Sequence, residues 1–255
     1  MRFASLGSGS RGNATLMSHA NTTLLVDCGF SARETEKRMQ QYNFDMADVT
    51  AIVLTHEHGD HINGVRVLAK KYQLPVYATA GTAGCLNTDV IGLIHEFSCH
   101  EHFEINDILV EPFPVPHDAR EPSQFVFNDG QHRVGLLTDV GSTTPVIEEA
   151  LSGCHGLLLE ANHDISMLDT GEYPDHLKYR VSGKMGHLNN VQSSSILKSI
   201  DTTKLQHLVA MHLSEKNNSP AIVKNLFAKV LGCEENWIGI ADQDLGFQWR
   251  ETTNN

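Results

Sequence analysis

Leu54-Thr55-His56-Glu57-His58-Gly59-Asp60-His61 decides how this chain is read. It follows a short apolar run, Ala51–Leu54, and precedes Ile62–Tyr72, where Val65, Leu68 and Ala69 recur at helical spacing. A strand that ends where a helix begins lets several side chains converge from one tight turn. Two imidazoles two residues apart, His56 and His58, can face one cation from an extended segment. Asp60 and His61, on the following turn, can reach a second. Four candidate ligands in six residues are denser than a polar loop carries by chance. Neutral imidazole and carboxylate suit Zn²⁺, Mn²⁺ or Fe²⁺.

Upstream, Arg2–Leu6 reads as a strand running into Gly7-Ser8-Gly9-Ser10-Arg11-Gly12-Asn13, too rich in glycine and serine for a regular element. Ala14–Met17 and Thr22–Val26 read as strands, and Ser31–Gln41 as a helix opened by a Ser31/Glu34 capping box. Downstream, strands are expected at Pro75–Ala78, Ile108–Phe113, Gln124–Phe127, His132–Leu137, Gly156–Glu160, Leu205–Met211, Ile238–Ile240 and Phe247–Trp249. Helices are expected at Pro145–Leu151, near Ile165–Leu168, at Val191–Ile200 and at Pro220–Val230, the last capped by Ser219. No linker, repeat or low-complexity tract divides residues 1–255, so a single domain is expected. Strands interleaved with helices point to an α/β (α+β) core with helices outside. Periodicity alone does not choose between a doubly wound sheet and a four-layer sandwich.

Further ligand candidates fall at expected strand ends: His117 in Val115-Pro116-His117-Asp118, Asp139 in Thr138-Asp139-Val140-Gly141, and His212 in Met211-His212-Leu213. Each alone is what an ordinary turn can carry. In this order they complete seven ligands for two cations. His100 and His102 imitate an HxH pair, but nothing nearby in sequence completes a site.

The formal net charge of −12 argues against a protein that coats nucleic acid through a broad basic surface. It leaves room for local capture of a phosphodiester, because two divalent ions bring about four positive charges to one spot. No apolar run reaches the roughly 18–20 residues that cross a bilayer, so no membrane partner is expected. The N-terminus lacks the apolar core of a signal peptide. The five cysteines form no CxxC pair, which disfavours a disulfide framework and fits free thiols in a cytoplasm.

HxHxDH followed by separated His, Asp and His resembles the metal-binding signature of the metallo-β-lactamase superfamily, over nearly the whole chain. The resemblance implies a four-layer αββα sandwich. It implies that His56, His58 and His117 hold one metal, that Asp60, His61 and His212 hold the other, and that Asp139 bridges them. No cysteine stands at a ligand position, which speaks against β-lactam hydrolysis. Ser8–Asn13, Glu160-Ala161-Asn162-His163-Asp164, Thr170-Gly171-Glu172-Tyr173-Pro174 and Gly186-His187-Leu188-Asn189-Asn190 are similar to the YycJ/WalJ group, described as 5′ to 3′ DNA exonucleases. The stretch between Asp139 and His212 is too short for the extra domain of β-CASP nucleases.

These features imply a dinuclear-metal phosphodiesterase acting on DNA through a metal-bridging hydroxide, with Zn²⁺ or Mn²⁺ as the metals and Fe²⁺ also accommodated. Two such ions about 3.5–4 Å apart can share a hydroxide for in-line attack on phosphorus. Asp60 has a second expected role in orienting the nucleophile. His187 and His163 are the candidates for helping the leaving oxygen depart. The Ser8–Asn13 loop is placed to meet a phosphate or Asp60. The competing reading is a small-molecule hydrolase acting on a cyclic phosphodiester, a thioester or a lactone, which the acidic composition favours.

Overall fold

The computed structural model describes residues 1–86 and 88–254. In chain order the strands are β1 (Arg2–Gly7), β2 (Ala14–His19), β3 (Thr22–Val26), β4 (Ala51–Val53), β5 (Val76–Thr79), β6 (Ile94–Phe97), β7 (Phe103–Ile105), β8 (Ile108–Pro114), β9 (Ser123–Asn128), β10 (Arg133–Leu137), β11 (Gly156–Glu160), β12 (His207–Met211), β13 (Gly239–Ile240) and β14 (Phe247–Glu251). The helices are α1 (Ala32–Gln41), α2 (Gly59–Ile62), α3 (Val65–Tyr72), α4 (Ala80–Ala83), α5 (Pro145–Leu151), α6 (Ile165–Thr170), α7 (Asp175–Ser182), α8 (Asn190–Ser199) and α9 (Pro220–Leu231). Two sheets form, ordered β14-β1-β2-β3-β4-β5-β6 and β13-β12-β11-β10-β9-β8-β7. β3 to β6 run parallel, as do β10 to β13.

Three apolar layers show how the sheets stack. Phe3, Leu24, Val26, Val53, Phe125, Phe127, Leu136, Leu158 and Val209 pack together between the sheets. Leu25, Ile52, Met39 and Leu68 pack sheet one against α1 and α3, and Leu157, Leu159, Ile147, Ile196 and Phe227 pack sheet two against α5, α8 and α9. The result is the αββα sandwich. A strand buried on both faces reads as an unbroken apolar run, such as Leu157-Leu158-Leu159, because alternation then separates two cores rather than core from water.

Several local expectations are corrected. The helix expected from Ile62 is two helices, α2 and α3, separated at Asn63–Gly64. Gly64 lies there against Cys28 and the Phe30 carbonyl, too close for a side chain, and its N–H donates to Cys28 O at 2.8 Å. Half of the capping box forms: Ser31 Oγ accepts from Glu34 N, while the Glu34 carboxylate accepts from Arg38 Nε at 2.9 Å instead of reaching back. Ser219 makes no side-chain cap, and Pro220 at the first turn of α9 stands in its place. Helix α7 and strands β6 and β7 had no expected counterpart. Both strands are sheet edges, β6 carrying His95 and Glu96, and edges are commonly kept short and charged.

One buried cation ties the glycine loop to the scaffold. Arg38 of α1 donates from Nη1 to Leu6 O at 2.8 Å and to Gln243 O at 2.9 Å, with its guanidinium 3.9 Å over the Phe30 ring. Gln243 in turn holds the loop through Arg11 N at 2.8 Å and Gly12 O at 2.9 Å. Replacing Arg38 by Met would keep the stem and leave two buried carbonyls unpaired. Arg38→Met is expected to lower unfolding free energy in urea by about 1–3 kcal/mol; an unchanged midpoint would show that these bonds carry no net stability.

Candidate metal centre

The site forms where the carboxyl ends of the parallel strands of both sheets meet. Asp27 follows β3, Thr55 and His56 follow β4, Asp139 follows β10, Glu160 ends β11 and His212 follows β12. His58 caps α2, and Asp60 and His61 lie in its single turn. Asp27, Asp139 and His212 have left-handed backbone, with φ of 60°, 55° and 52°. Such a turn swings the side chain out of the strand's line, and costs about 1–3 kcal/mol for a non-glycine residue. The N–H of each is captured: Asp27 N by Val53 O at 2.9 Å, Asp139 N by Glu160 Oε1 at 3.1 Å and His212 N by Ser8 Oγ at 2.9 Å.

Six of the seven expected ligands, all but Asp60, fall in close groups of candidate metal-binding atoms, and the group that holds Asp139 and His212 also takes in Glu160 and His187. Ligating atoms of His56, His58 and His117 lie within 4.8 Å of one another, as do those of His56, His61 and Asp139. Asp139 Oδ2 is 3.0 Å from His61 Nε2, and its Oδ1 is 3.0 Å from His212 Nδ1. Asp60 Oδ2 is 3.6 Å from His61 Nε2.

The imidazoles are arranged as metal ligands usually are, with one nitrogen anchored to an acceptor and the other aimed inward. His61 Nδ1 donates to Asp27 Oδ2 at 2.7 Å, and His117 Nδ1 donates to Gly186 O at 3.1 Å, which fixes both tautomers. His58 turns the other way, with Nε2 on Asp118 O at 3.2 Å and Nδ1 3.3 Å from His117 Nε2. His56 Nδ1 meets Thr55 Oγ1 at 3.0 Å, and its Nε2 is buried without a hydrogen-bond partner. An orphaned nitrogen at the focus of this set is costly unless a cation accepts its lone pair. The donor set therefore fits divalent metal.

Protein groups alone polarise the centre strongly. Burial, aided by the neighbouring imidazoles, pushes His56 well below the usual histidine range. Burial acts the same way on His61, but Asp139 and Asp27 overcome it and hold that ring well above the range. Burial would raise Asp139, yet His212 and His61 hold it well below the ordinary carboxylate value.

Two carboxylates carry roles that the sequence reading did not give them, and the Ser8–Asn13 loop makes one of the two contacts expected of it. Asp27 orients His61 and also accepts from Thr55 N at 2.9 Å and Thr55 Oγ1 at 2.8 Å. Glu160, fully buried, accepts from the N–H groups of Asp139, Val140 and Leu188 and pairs with His187 Nδ1 at 2.9 Å. Each stands at the carboxyl end of a fully buried strand, where a buried charge must be paired, and that was the available signal. The Ser8–Asn13 loop meets Asp60: Asn13 N donates to Asp60 O at 2.8 Å, and Asn13 Nδ2 lies 3.1 Å from His61 Nε2.

His187 and His163 part company. His187 sits two residues before Asn189, the N-cap of α8, and lines the cavity over the ligands. Its loop does make a demand on the imidazole, namely the Glu160 pair. Against the pull of burial, Glu160 and Asp139 raise His187 to about 9. His163 is buried and is not among the residues lining that cavity; its Nδ1 is 3.3 Å from Asn162 Oδ1, and burial lowers it to about 4.

The model of the beta-lactamase superfamily domain matches residues 22–213. Exodeoxyribonuclease YycJ of Bacillus anthracis is 35% identical over 247 residues, covering 95% of this chain and 92% of that protein. Exodeoxyribonuclease WalJ of Streptococcus pneumoniae serotype 2 is 33% identical over 223 residues, covering 85% of this chain and 83% of its own. Among solved structures, the metallo-beta-lactamase fold protein YhfI from Bacillus subtilis superposes with a TM-score of 0.75 at 16% identity, covering 98% of each chain. That last likeness is one of fold.

Asp27 is not among the residues lining the cavity over the ligands but sets the ring of His61. Asp27→Asn, which keeps size and removes charge, is expected to weaken metal retention by about 10–100-fold in competition with a chelator. Retention equal to that of the unsubstituted protein would mean that His61 needs no such anchor.

Proposed function

The chain belongs to the metallo-β-lactamase superfamily, and from that premise we propose that it is a dinuclear-metal phosphodiesterase that shortens DNA in the 5′ to 3′ direction. The observation that carries this reading is a ligand-lined cavity of about 290 Å³ in a chain alike along nearly its full length to proteins named exodeoxyribonucleases. His56, His58 and His117 would hold one ion, Asp60, His61 and His212 the other, with Asp139 shared. Zn²⁺ or Mn²⁺ suits this set, and Fe²⁺ is compatible. When bound, the ions would supply Lewis acidity toward a phosphoryl oxygen and lower the pKa of water.

The protein's own groups account for the rest. Asp60, held through its backbone by Asn13, orients the attacking water. Glu160 accepts the Nδ1 proton of His187, which leaves Nε2 as the free edge of a ring lining the cavity. From there His187 either protonates the leaving oxygen or binds the phosphate, and Glu160 is its positioning residue. His163 does not line that cavity, which favours His187 for the role. Between Asp139 and His212 the chain builds β11, α6, α7, α8 and β12. No described helix is long and apolar enough to cross a membrane. Five cysteines without a disulfide agree with a reducing cytoplasm as the working compartment.

Metal analysis of the pure protein is expected to give two divalent ions per chain, and Asp139→Ala fewer. A loading of one, unchanged by that substitution, would overturn the shared ligand. Mn²⁺- or Zn²⁺-loaded protein is expected to shorten end-labelled DNA from its 5′ end. If DNA survives while a cyclic phosphodiester, thioester or lactone turns over, the small-molecule reading replaces this one. His187→Ala is expected to lower turnover by about 10²–10⁴-fold with both ions retained; loss of an ion would make His187 a ligand instead.

A further inference from the structure

Among the described α-helices, α7 is set apart by packing no side chain into a core. None of its residues is buried, and Tyr179 is 78% exposed. It nevertheless has a fixed place. Leu177, Arg180 and Val181 of α7, with Tyr173 just before it, line the cavity over the ligands. Tyr173 belongs to Thr170–Pro174, a segment for which the metal chemistry has no use.

The wall is rigidly joined to the reacting groups. His187 N donates to Val181 O at 2.8 Å, and Asp118 N donates to Met185 O at 3.0 Å. Gly186 lies so close to the carbonyls of Arg180 and Val181 that a side chain there would collide with both. Arg180 Nε donates to Asp118 Oδ2 at 2.7 Å. Among the described residues neither terminal nitrogen of that guanidinium has a hydrogen-bond partner. Its side chain is 61% exposed, so the fork is oriented at its root and open at its tip. An arginine held in this way suits bidentate capture of phosphate. An aromatic ring on the same wall offers a face to a base without regard to sequence. The cavity lies at the lower end of the usual range for ligand pockets, about 300–1,000 Å³. It admits one nucleotide-sized unit, not a length of duplex.

Resting on the DNA reading above, we propose that Tyr173 and Arg180 form the seat for the terminal nucleotide of the strand: Tyr173 stacks on its base, and Arg180 binds a phosphate that is not cleaved. Neither residue takes part in bond breaking. They set which substrates are held, and so favour a strand end over a small phosphate ester.

Kinetics of Mn²⁺-loaded protein on a 3′-labelled single-stranded oligonucleotide and on bis(p-nitrophenyl) phosphate, which has one phosphate and no base, separate the possibilities. Arg180→Gln is expected to raise KM for the oligonucleotide about 10–100-fold, with kcat little changed and turnover of the small ester unaltered. Arg180→Lys, which keeps charge without the fork, should recover part of the loss. Tyr173→Ala should raise KM for the oligonucleotide alone. An unchanged KM in Arg180→Gln and Tyr173→Ala overturns the seat and leaves the nuclease reading standing. Equal losses on both substrates would make Arg180 a support for Asp118 and overturn it too. If the unsubstituted protein cleaves the small ester and spares the oligonucleotide, the nuclease reading itself falls, and the seat with it.

Discussion

The Glu160 carboxylate holds the reacting half of this molecule in register. It ends β11 in the apolar layer, fully buried, and accepts from Asp139, Val140 and Leu188 N–H and from His187 Nδ1. A buried carboxylate is tolerated only when its lone pairs are filled, and here each partner belongs to the site. The bonds to Asp139 and Val140 hold the turn after β10, which presents Asp139. The bond to Leu188 holds the loop before α8, which presents His187. Losing this one acceptor would free both loops and orphan several buried donors together.

The same logic extends across the two sheets. A side chain that continues the line of a strand points into one core or the other. To reach a focus between the sheets the chain must leave that line, and left-handed backbone at Asp27, Asp139 and His212 does this. Glycine would adopt that conformation freely, but glycine carries no ligand. The strain is therefore accepted at these positions and offset by capture of each residue's N–H, by acceptors from three different elements: Val53 O, Glu160 Oε1 and Ser8 Oγ. Strain at the turns that present the site's side chains, held by captured N–H groups, is what a preorganised site requires.

This division explains what could be read from the sequence. The ligands were legible because chemistry restricts them to His and Asp, and because HxHxDH compresses four into one turn. Most strands were legible as apolar runs. The sandwich was not legible from periodicity, because Leu157–Leu159 is buried on both faces and shows no alternation; it came only with the family resemblance. Glu160 and Asp27 were missed as working residues because a carboxylate at a strand end looks like any turn residue until its donors, far away in sequence, are known. Helix α7 was missed for the opposite reason. It buries nothing, so no apolar stripe marks it, and its place is fixed by backbone contacts with the His187 loop.

Charge sets the remaining condition. Asp27, Asp60, Asp139 and Glu160 converge beside the cavity in a chain already at −12. A phosphodiester approaching these carboxylates is repelled unless cations stand between them, and in a partly dry cavity that repulsion is stronger than in water. The carboxylates that make the site attractive to divalent ions thus oppose an anionic ligand, an effect that His61 and His187, both held above the usual histidine range, offset in part. Arg180 is the cation of the wall itself, and its partner Asp118 is adjacent to His117. On the nuclease reading proposed above, metal loading would therefore raise substrate affinity by electrostatics alone, without a conformational change having to link them.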